Sequence, residues 1–372
     1  MGVEIGADIS HDELRELHHA VVYCTGAGSG QRLELDGAEL IGNHTAVDLA
    51  RWYNGHPDYA RLPIDLSGER AVVIGNGNVA IDVARILTSA PEQLAATEIA
   101  DPALRALRRS TVREVVVLGR RGPAEAAFTH PELVGLLSVP GLHVSADIGD
   151  RPLDGPCSPI TELLACLPSA PPREGRRVVL RFDTTVTHIH GDDHVTAVTV
   201  ARGGSSLRPE TEDIATGLVV HSIGATVASV PGVPRGSHTQ PLPNTAGRVC
   251  DTDGSPVPGV YVAGWAKRGP AGVIGTNRAC ALETAAAVVE DFLAGRLTTA
   301  ARGRDHLDKL IAARCPNAIS TAGWASIDDL ERAHGAAEGR PRVKFTAAAE
   351  LVQAARPTPP QVSRLPRWLG PR

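Results

Sequence analysis

An apolar run, Ala71, Val72, Val73 and Ile74, leads straight into Gly75-Asn76-Gly77-Asn78-Val79-Ala80, and this junction constrains the chain more than any other stretch. A strand that turns sharply into a helix needs glycine at the turn, a second glycine where backbone approaches a bound group, and a small residue where helix packs on strand. Gly75, Gly77 and Ala80 stand at those three places. The helix read over residues 79–87 points unpaired N–H groups and its positive end back at the turn. Gly77 therefore reads as the place where backbone N–H groups approach a pyrophosphate. Taken alone, the same glycines also describe an ordinary strand-to-helix turn.

A second strand, residues 114–118 (Glu-Val-Val-Val-Leu), ends in Gly119-Arg120-Arg121. In NAD sites this tip usually carries an acid that binds the ribose hydroxyl; here two arginines stand instead. Guanidinium groups make charge-assisted bonds to phosphate, so Arg120 and Arg121 argue for the 2′-phosphate of NADP. Only three of the 37 basic residues are lysine, so arginine abundance proves nothing and position at the strand tip carries the argument. Residues 88–109 lengthen the connection between the two strands by an extra helical excursion.

With 372 residues, 42% hydrophobic and 21% charged, the chain can bury a full core, and its length suggests two domains. A net charge of −5 argues against a general nucleic-acid binder. Six cysteines (Cys24, Cys157, Cys166, Cys250, Cys280 and Cys315) lie apart with no C-x-x-C pair, which signals neither a redox dithiol nor a zinc site. The histidine pairs His18-His19 and His188/His190 lack a second ligand set, so no metal is expected. No apolar run is long enough to span a membrane and the first residues carry no leader-like pattern, so the cytoplasm is the expected compartment.

Further along, residues 20–27 read as a strand opening into the glycine-rich segment 26–30, a turn or hinge better than a second fingerprint, because Gln31 occupies the third position. Residues 176–187 and 194–200 alternate β-branched with polar side chains, as in an antiparallel hairpin or meander. Residues 218–224 repeat the strand-to-glycine pattern and read as a return crossing between domains. Residues 259–277 deliver a strand into a turn rich in glycine, followed by an alanine-rich helix over 278–293. That pattern fits a second anion or cofactor site and a plain glycine-rich connection equally well.

Three motifs together, Gly75-Asn76-Gly77-Asn78-Val79-Ala80-Ile81-Asp82-Val83-Ala84-Arg85, Gly119-Arg120-Arg121-Gly122-Pro123 and the run from Gly264-Trp265 to Thr276-Asn277, resemble the adrenodoxin reductase type of ferredoxin–NADP reductase. Residues 47–54, ending in Trp-Tyr-Asn, and the tail Gly339-Arg340-Pro341-Arg342-Val343-Lys344 resemble that family too, so the likeness covers nearly the whole chain. The resemblance implies an α/β fold of two Rossmann-like (glutathione reductase-like) nucleotide-binding domains. It implies FAD and NADP as cofactors, and hydride passed from NADPH to the flavin, which releases single electrons to a ferredoxin-like iron–sulfur carrier. It makes Gly75, Asn76, Gly77, Asn78 and Val79 the pyrophosphate loop, Arg120 and Arg121 the 2′-phosphate clamp, and Glu132 a nucleotide-contacting acid. It lays Trp265, Gly272, Val273 and Ile274 along FAD, with Gly272 close to the nicotinamide. Asp65 matches an acid near the active site, although its loop position suits a turn or helix cap as well.

Family members begin with a Gly-x-Gly-x-x-Gly βαβ unit for FAD, whereas this sequence opens on Met1-Gly2-Val3-Glu4, so the FAD domain is expected to be incomplete at its N-terminus. Ala124, Glu125 and Ala271 also depart from the family's pattern. The expected organisation is a remnant of the FAD domain over 1–30, an NADP-binding domain over 31–222, and the C-terminal part of the FAD domain with a tail over 223–372, with hinges near Gly26 and Gly224. Three readings follow: a flavin-dependent reductase whose missing half precedes Met1 or comes from a separate FAD-binding polypeptide, a non-catalytic NADP-binding module, and a decayed product without stable fold. Arg173, Arg176, Arg177 and Arg181 suit either an acidic ferredoxin or a solvated strand face.

Overall fold

Strands whose side chains are apolar at every position need cover on both faces, and the two nucleotide-loop strands meet that need at the centre of a parallel sheet. The computed structural model describes residues 1–149, 158–170, 172, 174–203, 210–235, 241–272, 274–297, 299–300 and 303–356. In chain order its first elements are α1 (His11–Leu17), β1 (Val21–Tyr23), β2 (Ser29–Gly30), β3 (Asn43–Thr45), α2 (Ala46–Asn54), β4 (Arg70–Ile74), α3 (Asn78–Thr88), α4 (Pro91–Ala95) and α5 (Asp101–Arg108). There follow β5 (Glu114–Leu118), a short 3₁₀ turn (Pro123–Glu125), α6 (His130–Leu137), β6 (Leu142–Asp147), α7 (Pro159–Ala165), β7 (Arg176–Arg181), β8 (Thr184–Gly191), β9 (Val195–Arg202), β10 (Glu210–Ala215), β11 (Leu218–His221) and β12 (Ala225–Thr226). The remainder are β13 (Asn244–Thr245), β14 (Arg248–Cys250), β15 (Pro256–Val262), α8 (Trp265–Arg268), α9 (Ile274–Leu293), α10 (Arg304–Arg314), α11 (Thr321–Ala337) and α12 (Ala348–Ala354).

Six parallel strands lie in the order β3-β11-β4-β5-β7-β6. Alternation along β4, β5 and β11 divides the core in two. Ala71, Val73, Val115, Val117, Leu218 and Val220 face the helices, packing on Ile81, Ala84, Leu104 and Leu133. Val72, Ile74, Val116, Leu118 and Val219 face the antiparallel meander β8-β9-β10, through Val186, Ile189, Val198 and Val200. The chain leaves β4 toward β5 on one side, while β11 returns on the other, so β4 and β11 flank the topological switch point where such sheets bind ligands.

The alternation over 176–187 had suggested an antiparallel hairpin; the structure corrects its first half. Residues of β7 form a parallel inner strand between β5 and β6, and only β8 onward belongs to the meander. The arginines of β7 are each held in place: Arg177 pairs with Glu114 at 2.5 Å, and Arg181 with Asp147 at 3.4 Å and with Glu212. Arg176 donates to the carbonyls of Thr88 and Ser89.

A second sheet, β1-β15-β14-β13, carries its own core of Tyr23, Val249, Val260 and Val262. The two chain crossings between the sheets pair with each other, β2 antiparallel to β12, and Gln31 N–H donates to Gly224 O at 3.0 Å. Thr284 and Asp291 tie α9 to this sheet: Asp291 accepts from Tyr261 OH at 2.6 Å and from Arg248 at 2.9 Å. Those bonds hold the Asp291 carboxyl well below the usual range.

The tail after α11 bridges the two parts. Arg340, 9% exposed, pairs with Asp101 at 2.6 Å and donates to the carbonyls of Ile99 at 2.5 Å and Thr97 at 3.3 Å. Arg342 pairs with Asp328 and Glu331 on α11 and reaches Glu98 at 3.3 Å.

Candidate nucleotide site

Gly75 leaves β4 with φ 105°, and a side chain there would run into the Ser222 carbonyl at the end of β11. The close approach fixes the loop: Ser222 N–H donates to Ile74 O at 2.7 Å, and Gly75 N–H to Leu118 O at 2.8 Å. Gly77 caps α3 without any side-chain bond to the helix N-terminus, and space opens where its Cβ would stand. The first N–H groups of α3 thus face open space at Gly77, where a diphosphate would meet backbone directly.

Around that opening the loops interlock. A side chain at Gly119 would meet Asn76 Nδ2 at 2.5 Å, so the two glycine turns pack against each other. Asn76 Nδ2 is buried and has no partner among the described residues, a donor left over at the cradle. Asn78 Oδ1 accepts from Thr129 N–H at 2.7 Å and so brings the first turn of α6, with half-buried Glu132, beside the loop. Arg120 and Arg121 are exposed at the tip of β5. Their loop is anchored from below by Asp183, whose N–H donates to Arg121 O at 3.1 Å and whose φ is 50°. Beneath lie the buried rings of Phe128 and Phe182, 6.5 Å apart.

The structure therefore brings Gly75, Asn76, Gly77, Asn78, Val79, Arg120, Arg121 and Glu132 to one edge of the six-stranded sheet. Asp65 does not join them. It precedes β4, at the strand's opposite end, where its Oδ1 accepts from Ser67 N–H at 2.9 Å and the Thr111 hydroxyl bonds the following carbonyls. Its position is that of a turn residue, with a carboxyl held low by the Ser67 side chain and backbone.

Trp265 begins α8, 36% exposed, just after Gly264 at φ 70°. Gly272, at φ 83°, precedes α9, and a side chain on it would crowd Thr276 Oγ1 at 2.6 Å. Arg268 pins the turn between them through Asn277 Oδ1 at 2.5 Å and the Ala271 carbonyl. Residues 275–279, the first turn of α9, are exposed. Ile274 heads α9, and Val273 lies outside the described residues. Positive-φ glycines and an open helix start fit the close approach of a flat cofactor.

Of the arginine cluster considered for docking, Arg176, Arg177 and Arg181 are engaged within the fold and Arg173 lies outside the described residues. The described cysteines are unpaired, and no group of three or more metal-ligating side chains occurs among the described residues. No helix among the described residues is long and apolar enough to cross a membrane.

One buried group escaped sequence reasoning. His221, 1% exposed at the end of β11, accepts from Leu33 N–H at Nδ1 (3.2 Å) and contacts Asn43 Oδ1 through Nε2 (3.1 Å). Asn43 Nδ2 in turn donates to the carbonyls of Gly37 and Leu40. The network pins the segment of the first crossing to the strand of the second. Burial above all, then Arg32 and His44, lowers the His221 pKa to about 4. An apolar-looking strand, Leu-Val-Val-His, gave no signal of it beyond the histidine itself.

No family model matches the chain. It is 48% identical over 378 residues to the probable ferredoxin/ferredoxin–NADP reductase of Mycobacterium bovis, covering 98% of this chain and 65% of that protein, just under two thirds. It is 35% identical over 387 residues to the mitochondrial NADPH:adrenodoxin oxidoreductase of Arabidopsis thaliana, covering 95% of this chain and 80% of that protein. Among solved structures, Mycobacterium tuberculosis FprA in complex with NADPH superposes with a TM-score of 0.85 at 38% identity, over 95% of this chain and 82% of that one. The fold is thus the α/β arrangement of FprA, and the chain belongs to the adrenodoxin reductase-type ferredoxin–NADP reductase family.

Proposed function

We propose that this chain binds NADPH at the β4–α3 edge and acts as an FAD-dependent oxidoreductase passing electrons between NADPH and a ferredoxin-like iron–sulfur carrier. The observation that carries the reading is the single edge on which an uncapped helix start, an open Gly77 and two exposed arginines meet. Gly75 to Val79 take the pyrophosphate, Arg120 and Arg121 the 2′-phosphate, and Glu132 the nucleotide's polar groups. Trp265, Gly272, Val273 and Ile274 would hold FAD, which when bound accepts hydride and supplies electrons singly. The bound NADPH of FprA and the reductase names of the other relatives support the assignment.

We assign residues 31–222 to the NADP-binding part and residues 1–30 with 223–372 to the flavin-side part, a division supported by the grouping of β3 to β7 and β11 in one sheet and of β1 with β13 to β15 in another. The cysteines among the described residues are unpaired, which suits a reducing cytoplasm. A second reading, a nucleotide-binding module whose flavin side is completed by a separate FAD-binding polypeptide, has its own observation: Leu282, Val289, Phe292 and Leu293 of α9 and Val22 of β1 are exposed.

The test is the visible spectrum of the purified chain after incubation with FAD and removal of excess, followed by anaerobic NADPH. Retained yellow flavin that bleaches, and is reoxidised by a ferredoxin, is the expected result. A colourless, folded protein that still binds NADPH would overturn the reductase reading in favour of the module.

A further inference from the structure

We propose that Glu125 is an internal counter-ion to Arg121 that limits how strongly the clamp selects a 2′-phosphorylated dinucleotide over its unphosphorylated counterpart. The inference rests on the reading of Arg120 and Arg121 as the phosphate clamp.

Glu125 reaches Arg121 because of the turn between them. Gly122 leads into the 3₁₀ turn of Pro123–Glu125, closed by Glu125 N–H donating to Gly122 O at 3.0 Å. The turn sets the two side chains four residues apart on one side, with Glu125 Oε1 3.5 Å from Arg121 Nη1 and both side chains 54% exposed. The backbone under them is fixed. Pro123 is buried, and Arg121 O is held by Asp183 N–H at 3.1 Å. What can change on binding is therefore the side-chain pairing.

A 2′-phosphate that takes the Arg121 guanidinium competes with Glu125 for it. The carboxylate then remains on the same short turn, well inside a Debye length of the arriving phosphate charge. Both effects oppose a phosphorylated ligand: a lost ion pair and a like-charge neighbour. Neither acts on a ligand without the phosphate. The pair is loose and half exposed, so the penalty is modest, roughly three- to tenfold in affinity.

The experiment measures binding of 2′,5′-ADP and 5′-ADP to the full chain by calorimetry; both probes lack the nicotinamide, so flavin content does not enter. Glu125→Gln should bind 2′,5′-ADP roughly three- to tenfold more tightly with 5′-ADP unchanged, and the gain should shrink at about 0.5 M salt. In an Arg121→Ala background the same substitution should give a smaller gain, because only the like-charge part of the penalty is left to relieve. An unchanged 2′,5′-ADP affinity, or equal tightening of both probes, would overturn the role of Glu125 while leaving the clamp intact. Failure of the unmutated chain to prefer 2′,5′-ADP would instead overturn the clamp itself, and this proposal with it.

Discussion

Replacing His221 by glutamine should flatten the acid side of the protein's stability profile. In the folded chain His221 is neutral, because it is 1% exposed and its Nδ1 faces the Leu33 N–H, a donor that leaves no room for a second proton. Arg32 and His44 add repulsion against a positive charge there. Its pKa falls to about 4, against 6.5 in the unfolded chain. Between those values the unfolded state binds more protons, so stability is complete above the unfolded pKa and is lost as pH falls toward the folded one. Going from about pH 7 to about pH 5, this single group removes about 2 kcal/mol. Glutamine can still accept from Leu33 and donate to Asn43 but does not titrate. Urea unfolding of both proteins at the two pH values measures the difference directly, and that difference cancels the contribution of His11 and His44, whose pKa values burial also lowers. Equal acid losses in the two proteins would refute the assignment of this slope to His221.

Two further substitutions test the nucleotide edge and the tail. Changing Arg120 and Arg121 together to alanine should weaken NADPH binding about a hundredfold, since each exposed guanidinium–phosphate bond contributes about 1.5 kcal/mol, while NADH binding changes less than about twofold; equal losses in a fluorescence titration would remove the clamp. Arg340→Ala leaves the Asp101 carboxylate and two carbonyls without their donor and should cost about 3 kcal/mol of stability. Arg340→Lys should recover only part, because an ammonium cannot fork toward three acceptors; full recovery in denaturant unfolding would mean that charge alone matters.

What the sequence disclosed was whatever depends on local pattern. The strands β4, β5 and β11 are covered on both faces and so read as unbroken apolar runs, and the glycine turns that end β4 and β5 are local too. The parallel pairing of β7 was not legible because Arg176, Arg177 and Arg181 flank its apolar residues, and what satisfies Arg177 and Arg181, Glu114, Asp147 and Glu212, comes from elsewhere in the chain. Asp65 is a different case. It precedes β4 and Gly75 follows it, so the two stand at opposite ends of one strand, and the parallel register of β4 with β5 puts the Gly119 turn at the Gly75 end as well. His221 and Arg340 were hidden as β7 was, since their partners lie 178 and 239 residues away.

Strand order also gives the proposed site a direction. The 2′-phosphate clamp stands beyond β5 and the pyrophosphate cradle beyond β4, so a dinucleotide held by both must extend its remaining end the other way, toward β11. Beyond β11 come Ser222 and Gly224, and there the chain passes through β12 on its way to the second sheet. On the proposed assignment the reactive half of the nucleotide would be directed at the crossing rather than at solvent beside β6. The crossing is braced twice, by the β2–β12 pairing and by His221 between Leu33 and Asn43. In a chain whose two sheets are linked by only two strands of backbone, these contacts set where the far end of the nucleotide points. Loosening them should leave adenosine-phosphate binding intact and disturb only what happens at the crossing, a separation that the 2′,5′-ADP probe and whole NADPH distinguish.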